Sequence, residues 1–329
     1  MNKYEQPLSL IRRLRLSNDE YSIYKMDMRE YRVRYNLPLR GVQARKIIYP
    51  IVAFGVKLFR LSNRHTIEII GDRRTKTALP IIFAVTHIGK FDIERVFEAC
   101  KTSCWIFNGD PDTVYHNFDG FSLSMSGVIL IDTESETDRH VAMQTAIQLL
   151  RQGGNLMFFP EGIWNVEPSI PVLPLYPGIA KIAMETGAVI IPVAIEQYGG
   201  HFQVNFGANM DIQEKITDSQ FSDIRQKYSA IRHMLRDEMA ALKWEIFEKN
   251  TGTRNDYTDV AVVQKKRVQE KLSEWTDNRS QPYFSYETLK RRQFCPDDYV
   301  CSGAVFAHLF TLNANIKTAF LFNKRLTGI

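Results

Sequence analysis

A histidine and an aspartate separated by four residues, His87 and Asp92, have the clearest chemical use in this chain. On one continuous helix they would point about 140° apart, since each residue turns about 100°, and they would not meet. The flanking sequence predicts a different setting. Leu79-Pro80-Ile81-Ile82-Phe83-Ala84-Val85 is an apolar run of strand length. After it, Ile93, Val96, Phe97 and Cys100 recur at helical spacing, which puts Asp92 where an N-cap belongs. In a strand-loop-helix the carboxylate can fold back onto the imidazole. It then fixes the tautomer and leaves the second ring nitrogen to take a proton. Taken alone, the pair fits a helix cap beside a polar strand end better than a catalytic dyad, because such pairs are common, and the rest of the chain reverses that weighting.

The elements that would position the pair follow from the rest of the pattern. Ser103-Cys104-Trp105-Ile106-Phe107, Gly127-Val128-Ile129-Leu130-Ile131, Asn155-Leu156-Met157-Phe158-Phe159 and Val189-Ile190-Ile191-Pro192-Val193-Ala194-Ile195 read as strands. Helices at residues 93–100, 137–152 and 179–186 separate them, the second stopped by Gly153-Gly154 and the third by Gly187. A short strand at residues 65–70 precedes them, a further one is expected at 201–206, and a long helix at 219–249 follows. Alternation of this kind implies an α/β fold with a mostly parallel central sheet flanked by helices. Pro192 within its run predicts an edge strand or a bulge there.

Four features now fall in order: His87-x-x-x-x-Asp92, Gly127 to Asp132, Phe159-Pro160-Glu161-Gly162, and Val189-Ile190-Ile191-Pro192-Val193-Ala194. Their order and spacing resemble the glycerolipid (lysophospholipid) acyltransferase family over residues 65–210. The resemblance implies a glycerolphosphate-acyltransferase-like fold. It also implies transfer of a fatty acyl group from acyl-coenzyme A or acyl carrier protein to a hydroxyl of an acceptor such as 1-acylglycerol 3-phosphate, without metal or redox cofactor. His87 would be the general base and Asp92 its partner. Glu161, with Pro160 and Gly162, would hold the acceptor, while Gly127 and Asp132 carry over as acceptor-side or structural residues. No Ser or Cys stands in a nucleophile elbow, so attack would be direct. The amides of the loop around Gly89 are the expected oxyanion donors. The sequence departs from the family where basic residues are expected to grip a phosphate. Thr133 follows the second motif, and Ile163 and Trp164 follow Gly162. Arg73, Arg74, Lys90 and Arg139 flank the motifs and could substitute. The departure opens the acceptor to other lysophospholipids, a glycolipid or a polyol.

Composition bounds the remaining choices. The chain has 329 residues, 44% hydrophobic and 24% charged, with a formal net charge of +5, which suits a globular core and an anionic surface or ligand. The four cysteines lack metal-like or paired spacing, so a reducing, cytosolic setting is expected. Ile47 to Phe59 is apolar, interrupted by Lys57 and preceded by Arg45-Lys46, which fits either an element lying in a membrane interface or a core helix kinked at Pro50. These features divide the chain into an N-terminal helical, membrane-interface region (1–62), an acyltransferase domain (63–250) and a helical accessory extension (251–329). The expected place is the cytoplasmic face of a membrane, as a peripheral or monotopic protein. No nucleic-acid partner is expected: the basic residues are scattered, and no stacking platform stands out. Two alternatives remain open on sequence alone. One is a lipid-binding scaffold without catalysis. The other is a metal-dependent hydrolase built on His87, Asp92, His116 and Asp119.

Overall fold

The computed structural model describes residues 3–89, 91–108, 125–132, 135–165, 171–216, 221 and 223–251. The accessory helices expected beyond residue 251, the polar cluster Asp110, Asp112, His116 and Asp119, and Lys90 and Thr133 lie outside the described residues.

Three helices come first: α1 (Leu10–Arg13), α2 (Asn18–Arg34) and α3 (Val42–Ser62). Ser17 and Glu20 form a reciprocal capping box that fixes the start of α2. Then follow β1 (Thr66–Asp72), β2 (Ile81–Val85), α4 (Asp92–Cys100), β3 (Trp105–Asn108), β4 (Val128–Leu130), α5 (Glu136–Arg151), β5 (Leu156–Phe158), α6 (Gly178–Thr186), β6 (Val189–Tyr198), β7 (His201–Phe206), α7 (Ile212–Lys215) and α8 (Ile224–Thr251). The seven strands form one sheet in the order β1-β7-β6-β2-β5-β3-β4. All neighbours run parallel except β6 and β7. The expected α/β architecture with a mostly parallel sheet is the one observed.

Helices cover both faces, as parallel strands require. On one side α3 and α4 pack through Val52, Val96 and Phe97 onto Phe83, Val85 and Ile191. On the other, α5, α6 and α8 pack through Ala146, Leu149, Ile179, Leu235 and Met239 onto Ile82, Leu156 and Ile190. β2 therefore lies in the middle of the sheet with both faces buried, which explains its unbroken apolar run.

Pro192 corrects the edge-strand expectation. It sits in β6, a central strand, opposite Ala84 of β2. Its carbonyl accepts from the Gly207 amide on the β7 side, so its missing N–H faces that side too. There β7 has ended at Phe206, and the flank is taken up again only by the Ile190–Met210 bridge. The proline falls in the gap, where no ladder hydrogen bond is lost.

The helix α3 runs through Pro50 and is apolar on two sides. Ile48, Tyr49, Val52, Ala53 and Val56 face the core. Ile47, Ile51, Phe54, Leu58 and Leu61 recur at spacings of four and three on the opposite side and are 78%, 71%, 61%, 51% and 52% exposed. No helix among the described residues is long and apolar enough to cross a membrane.

Candidate active site

β5 lies beside β2 in parallel register, with Ala84 opposite Phe158. The His87 loop and the Phe159-Pro160-Glu161-Gly162 segment therefore leave the sheet at the same edge, where sites of open parallel sheets are built. His87 Nδ1 lies 2.9 Å from Asp92 Oδ2. That same oxygen accepts the Ile88 and Gly89 amides, at 2.5 and 2.9 Å. The carboxylate thus closes the loop on itself and holds the imidazole by one nitrogen. Nε2 has no hydrogen-bond partner among the described residues. The His87 side chain is 20% exposed and Asp92 fully buried.

Two expectations are corrected here. Asp92 is the first residue of α4 rather than its cap: Phe91 holds the N-cap position without a side-chain cap, and the Asp92 carboxylate turns backwards onto the loop. Its charge still lies in the first helical turn, where the helix dipole favours it. The amides of Ile88 and Gly89, expected to receive an oxyanion, are instead spent on Asp92, and that of His87 on Glu161.

Glu161 is 2% exposed. Its Oε1 accepts the His87 amide at 2.9 Å and its Oε2 the Leu173 amide at 2.7 Å. Burial pushes its carboxyl above the usual range, opposed by the charge of Lys243, by those two amides and by His87. Its visible work is to tie the His87 loop to the segment around Leu173. Pro160 and Gly162 complete that turn. The Gly162 amide donates to Phe159 and the Tyr176 amide to the Pro160 carbonyl. Gly162 has φ +67°, and a Cβ there would meet the Tyr176 ring at 2.5 Å, so the close approach it permits is to Tyr176.

The walls around His87 are aromatic. The Phe159 ring centroid lies 4.5 Å away and that of Trp164 6.0 Å away, edge-on. The Asn165 amide donates to the His87 carbonyl at 2.7 Å, so the segment after Gly162 also clasps the loop.

Gly127 and Asp132 are not brought to this group. Gly127 precedes β4, at the opposite edge of the sheet from His87. Its φ of +104° and a Trp105 ring 2.6 Å from any Cβ there make it a packing glycine. Asp132 follows β4 on the right edge, but three strands from β2, about 14 Å sideways. Its amide donates to Asp138 at 2.6 Å, and Asp138 pairs with Arg29 of α2. Of the basic residues flanking the motifs, Arg74 pairs with Asp72 and Arg73 with Glu245.

Sequence reading missed what lies beneath the site. Lys243 of α8 is ion-paired at 2.8 Å with Glu196 of β6, and both are buried. Burial lowers the Lys243 ammonium to about 8, against the opposing pull of Glu161 and Asp92. Arg236 and Arg232, on the same helix, donate to the carbonyls of Val172 and Leu175. A signal was present: Lys243 interrupts the apolar stripe Leu235, Met239, Leu242, Ile246, and Glu196 ends an apolar run in a buried strand.

Residues 66–196 match the family model described as Acyltransferase. No curated protein matches the chain. Among solved structures, the chain is similar to the 1-acyl-sn-glycerophosphate (LPA) acyltransferase PlsC from Thermotoga maritima, at 15% identity and a TM-score of 0.48, over 68% of this chain and 90% of that one. The matched segment contains His87, Asp92 and Glu161 and ends at Glu196. The match to the Acyltransferase family thus rests on residues 66–196, the segment that carries the sheet strands β2 to β5 and most of β6.

Proposed function

We propose that this chain moves a fatty acyl group from an acyl thioester, carried by coenzyme A or acyl carrier protein, to a hydroxyl of a lysophospholipid-type acceptor at a membrane surface. The observation that carries this reading is the His87–Asp92 contact at 2.9 Å, with Nε2 left as the free ring nitrogen. In the reaction, Nε2 takes the acceptor hydroxyl proton as the oxygen attacks the thioester carbonyl. The tetrahedral intermediate collapses, the C–S bond breaks, and the departing thiolate takes the proton back from Nε2. Asp92 stabilises the imidazolium in between. General-base help of this kind supplies about 10²–10⁴ in rate. The thiolate leaves readily, so the reaction asks for no strong acid.

The outward stripe of α3 supports a membrane setting. Five large apolar side chains are exposed in one row. The segment is flanked by Arg40, Arg45, Lys46, Lys57, Arg60 and Arg64, with no acidic residue between Glu30 and Glu68. A basic helix with an exposed apolar row suits an anionic lipid interface. Phe59 at its C-terminal end packs against Phe91, the neighbour of Asp92, so a membrane met by this face would lie beside the dyad loop.

A second reading of the acceptor rests on Trp164. Its ring stands edge-on beside His87, where the family pattern expects a cation. An indole face suits a glycolipid or polyol better than a phosphate monoester. The test offers acyl-coenzyme A and acyl carrier protein with 1-acylglycerol 3-phosphate, other lysophospholipids, a glycolipid and a polyol, and identifies products by mass spectrometry. The reading expects one acceptor class to gain one acyl chain. Free fatty acid alone would mean hydrolysis, and no product from any pair would favour a lipid-binding scaffold.

A further inference from the structure

The helix α4 carries a buried cation without an ion-pair partner. Arg95 is 0% exposed. Its Nη2 donates to His65 Nδ1 at 3.2 Å, whereas Nε and Nη1, both buried, have no partner among the described residues. The charges of Glu94 and Glu98 reach Arg95, but neither carboxylate is ion-paired with it. Glu98 is taken by Arg60, which grips it with two bonds, and Arg74 and Arg73 hold Asp72 and Glu245. What surrounds Arg95 is aromatic: the ring centroids of Phe59, Phe91 and Phe202 lie 5.9, 5.4 and 5.6 Å from its Cζ. Cation–π attraction returns part of the cost of burying a guanidinium, but it satisfies no N–H. Arginine only donates, so His65 accepts at Nδ1 and its neutral ring carries the proton on Nε2.

This group stands beside the dyad loop. β2 ends at Val85, level with Val193 of β6. β6 runs on, and Gln197, four residues beyond Val193, pairs with Phe202 of β7. Phe202 is therefore level with the His87 loop, two strands from β2, about 10 Å sideways. His65 is at the same edge, since Thr66 pairs with His201. Arg95 follows Asp92 by three residues, on the same side of α4. Phe202 is fully buried, but Phe59, next to Leu58 of the outward row of α3, is 39% exposed. An exposed ring changes rotamer within nanoseconds, so Phe59 is a cover that can turn aside.

A buried donor left without a partner calls for a ligand or a cost, and a buried charge still more so. We infer that Arg95, with the His65 Nε2–H beside it, forms a binding site for a phosphate ester, entered past Phe59 from the outward face of α3. A guanidinium with two unbonded nitrogens matches a phosphate oxyanion, and phosphate is the anion that a lipid surface carries. The lipid source rests on the role proposed above for α3; the site itself does not. A headgroup held there lies beside the loop that carries His87.

The experiment compares the full wild-type chain with Arg95→Met and Arg95→Lys. The probes are inorganic phosphate, glycerol 3-phosphate with glycerol as its neutral control, and phosphatidylcholine vesicles carrying either 1-acylglycerol 3-phosphate or phosphatidylglycerol. Calorimetry reads the soluble probes and flotation the vesicles, so no thioester is needed. Wild type should bind phosphate esters and not glycerol. Affinity should fall about tenfold to a hundredfold in Arg95→Met, with Arg95→Lys, which keeps the charge and loses the fork, in between. Without a probe, Arg95→Met should melt no lower than wild type, because an apolar side chain replaces a buried charge. A loss confined to vesicles with 1-acylglycerol 3-phosphate identifies the acceptor as the source, a loss with both vesicles identifies the bilayer, and a loss with soluble probes alone identifies a free phosphate. Wild-type affinity in both variants for every probe would overturn the inference. So would an Arg95→Met chain that no longer folds while Arg95→Lys binds as wild type does, because the charge would then serve the fold alone. If the wild type transfers no acyl group to any acceptor, the proposed function fails, and the binding comparison still decides the site.

Discussion

At the C-terminal ends of β2 and β5, three of the four carboxylate oxygens of Asp92 and Glu161 accept hydrogen bonds, whereas the outward row of α3 leaves five large apolar side chains in solvent. The first region is finished within the chain. Its charges are removed from water, so each must find a donor or a counter-charge nearby, or the fold loses stability. The second has no partner within the described residues, and its apolar area is of the kind that marks a surface for another phase or molecule. On the proposed function, the difference separates two tasks: rigid placement of the His87 ring, and access to an acceptor in lipid. Phe59 and Phe91 join the two regions side to side.

The largest way to break the first region is Glu161→Ala. It orphans the amides of His87 and Leu173, at about 1–3 kcal/mol each, and frees the His87 loop. Thermal unfolding should show a clearly lower midpoint together with lost turnover. A variant as stable and active as wild type would show the clasp to be unnecessary.

The second region is broken by Phe54→Glu with Leu58→Glu. Each change removes about 1.5–3 kcal/mol of potential apolar burial, so flotation with anionic liposomes should report binding weaker by about a hundredfold. Because both side chains face outward, the melting curve should stay close to that of wild type. Unchanged flotation would assign the stripe to something other than lipid.

Gly127→Ala sharpens the contrast, because Gly127 belongs to neither region. Its positive φ and the Trp105 ring against it predict a loss of about 1–3 kcal/mol of stability. The acceptor KM of the folded enzyme should not change. A raised KM with normal stability would restore Gly127 to the acceptor side.

The smallest effect is a linkage. Burial depresses the Lys243 ammonium to about 8 from an ordinary 10.5. Between those values the unfolded chain binds the proton and the folded chain does not, so stability from this group rises as pH increases through that window. Denaturant titrations should show the rise in wild type and its loss in Glu196→Gln/Lys243→Met. An identical slope in both would place the lysine proton elsewhere.

Much of this was legible before the structure. Alternating apolar runs and helical stripes carry the α/β order, because buried parallel strands and the helices that cover them leave distinct periodicities. The pairing of His87 with Asp92 was readable because strand, loop and helix start were each signalled locally. What escaped were facts of direction and of long-range contact. The Asp92 carboxylate turns backwards rather than capping, since the Ile88 and Gly89 amides lie within its reach. Glu161 points inward because Gly162 closes a turn under Tyr176. Pro192 sits in a central strand because β7 happens to end beside it. Lys243 is far from the site in sequence, and only the packing of α8 on the sheet brings it near. Gly127 and Asp132 were grouped with the site by motif order, but sheet order separates them from it.

The most direct test of the central claim compares acceptor-dependent thiol release by wild type, His87→Ala and Asp92→Asn, each checked for a native melting curve. The account predicts release by the wild type, a fall of about 10² or more in His87→Ala, and a substantial fall in Asp92→Asn, which keeps the shape but loses the charge that steadies the imidazolium. Full turnover in folded His87→Ala would contradict it.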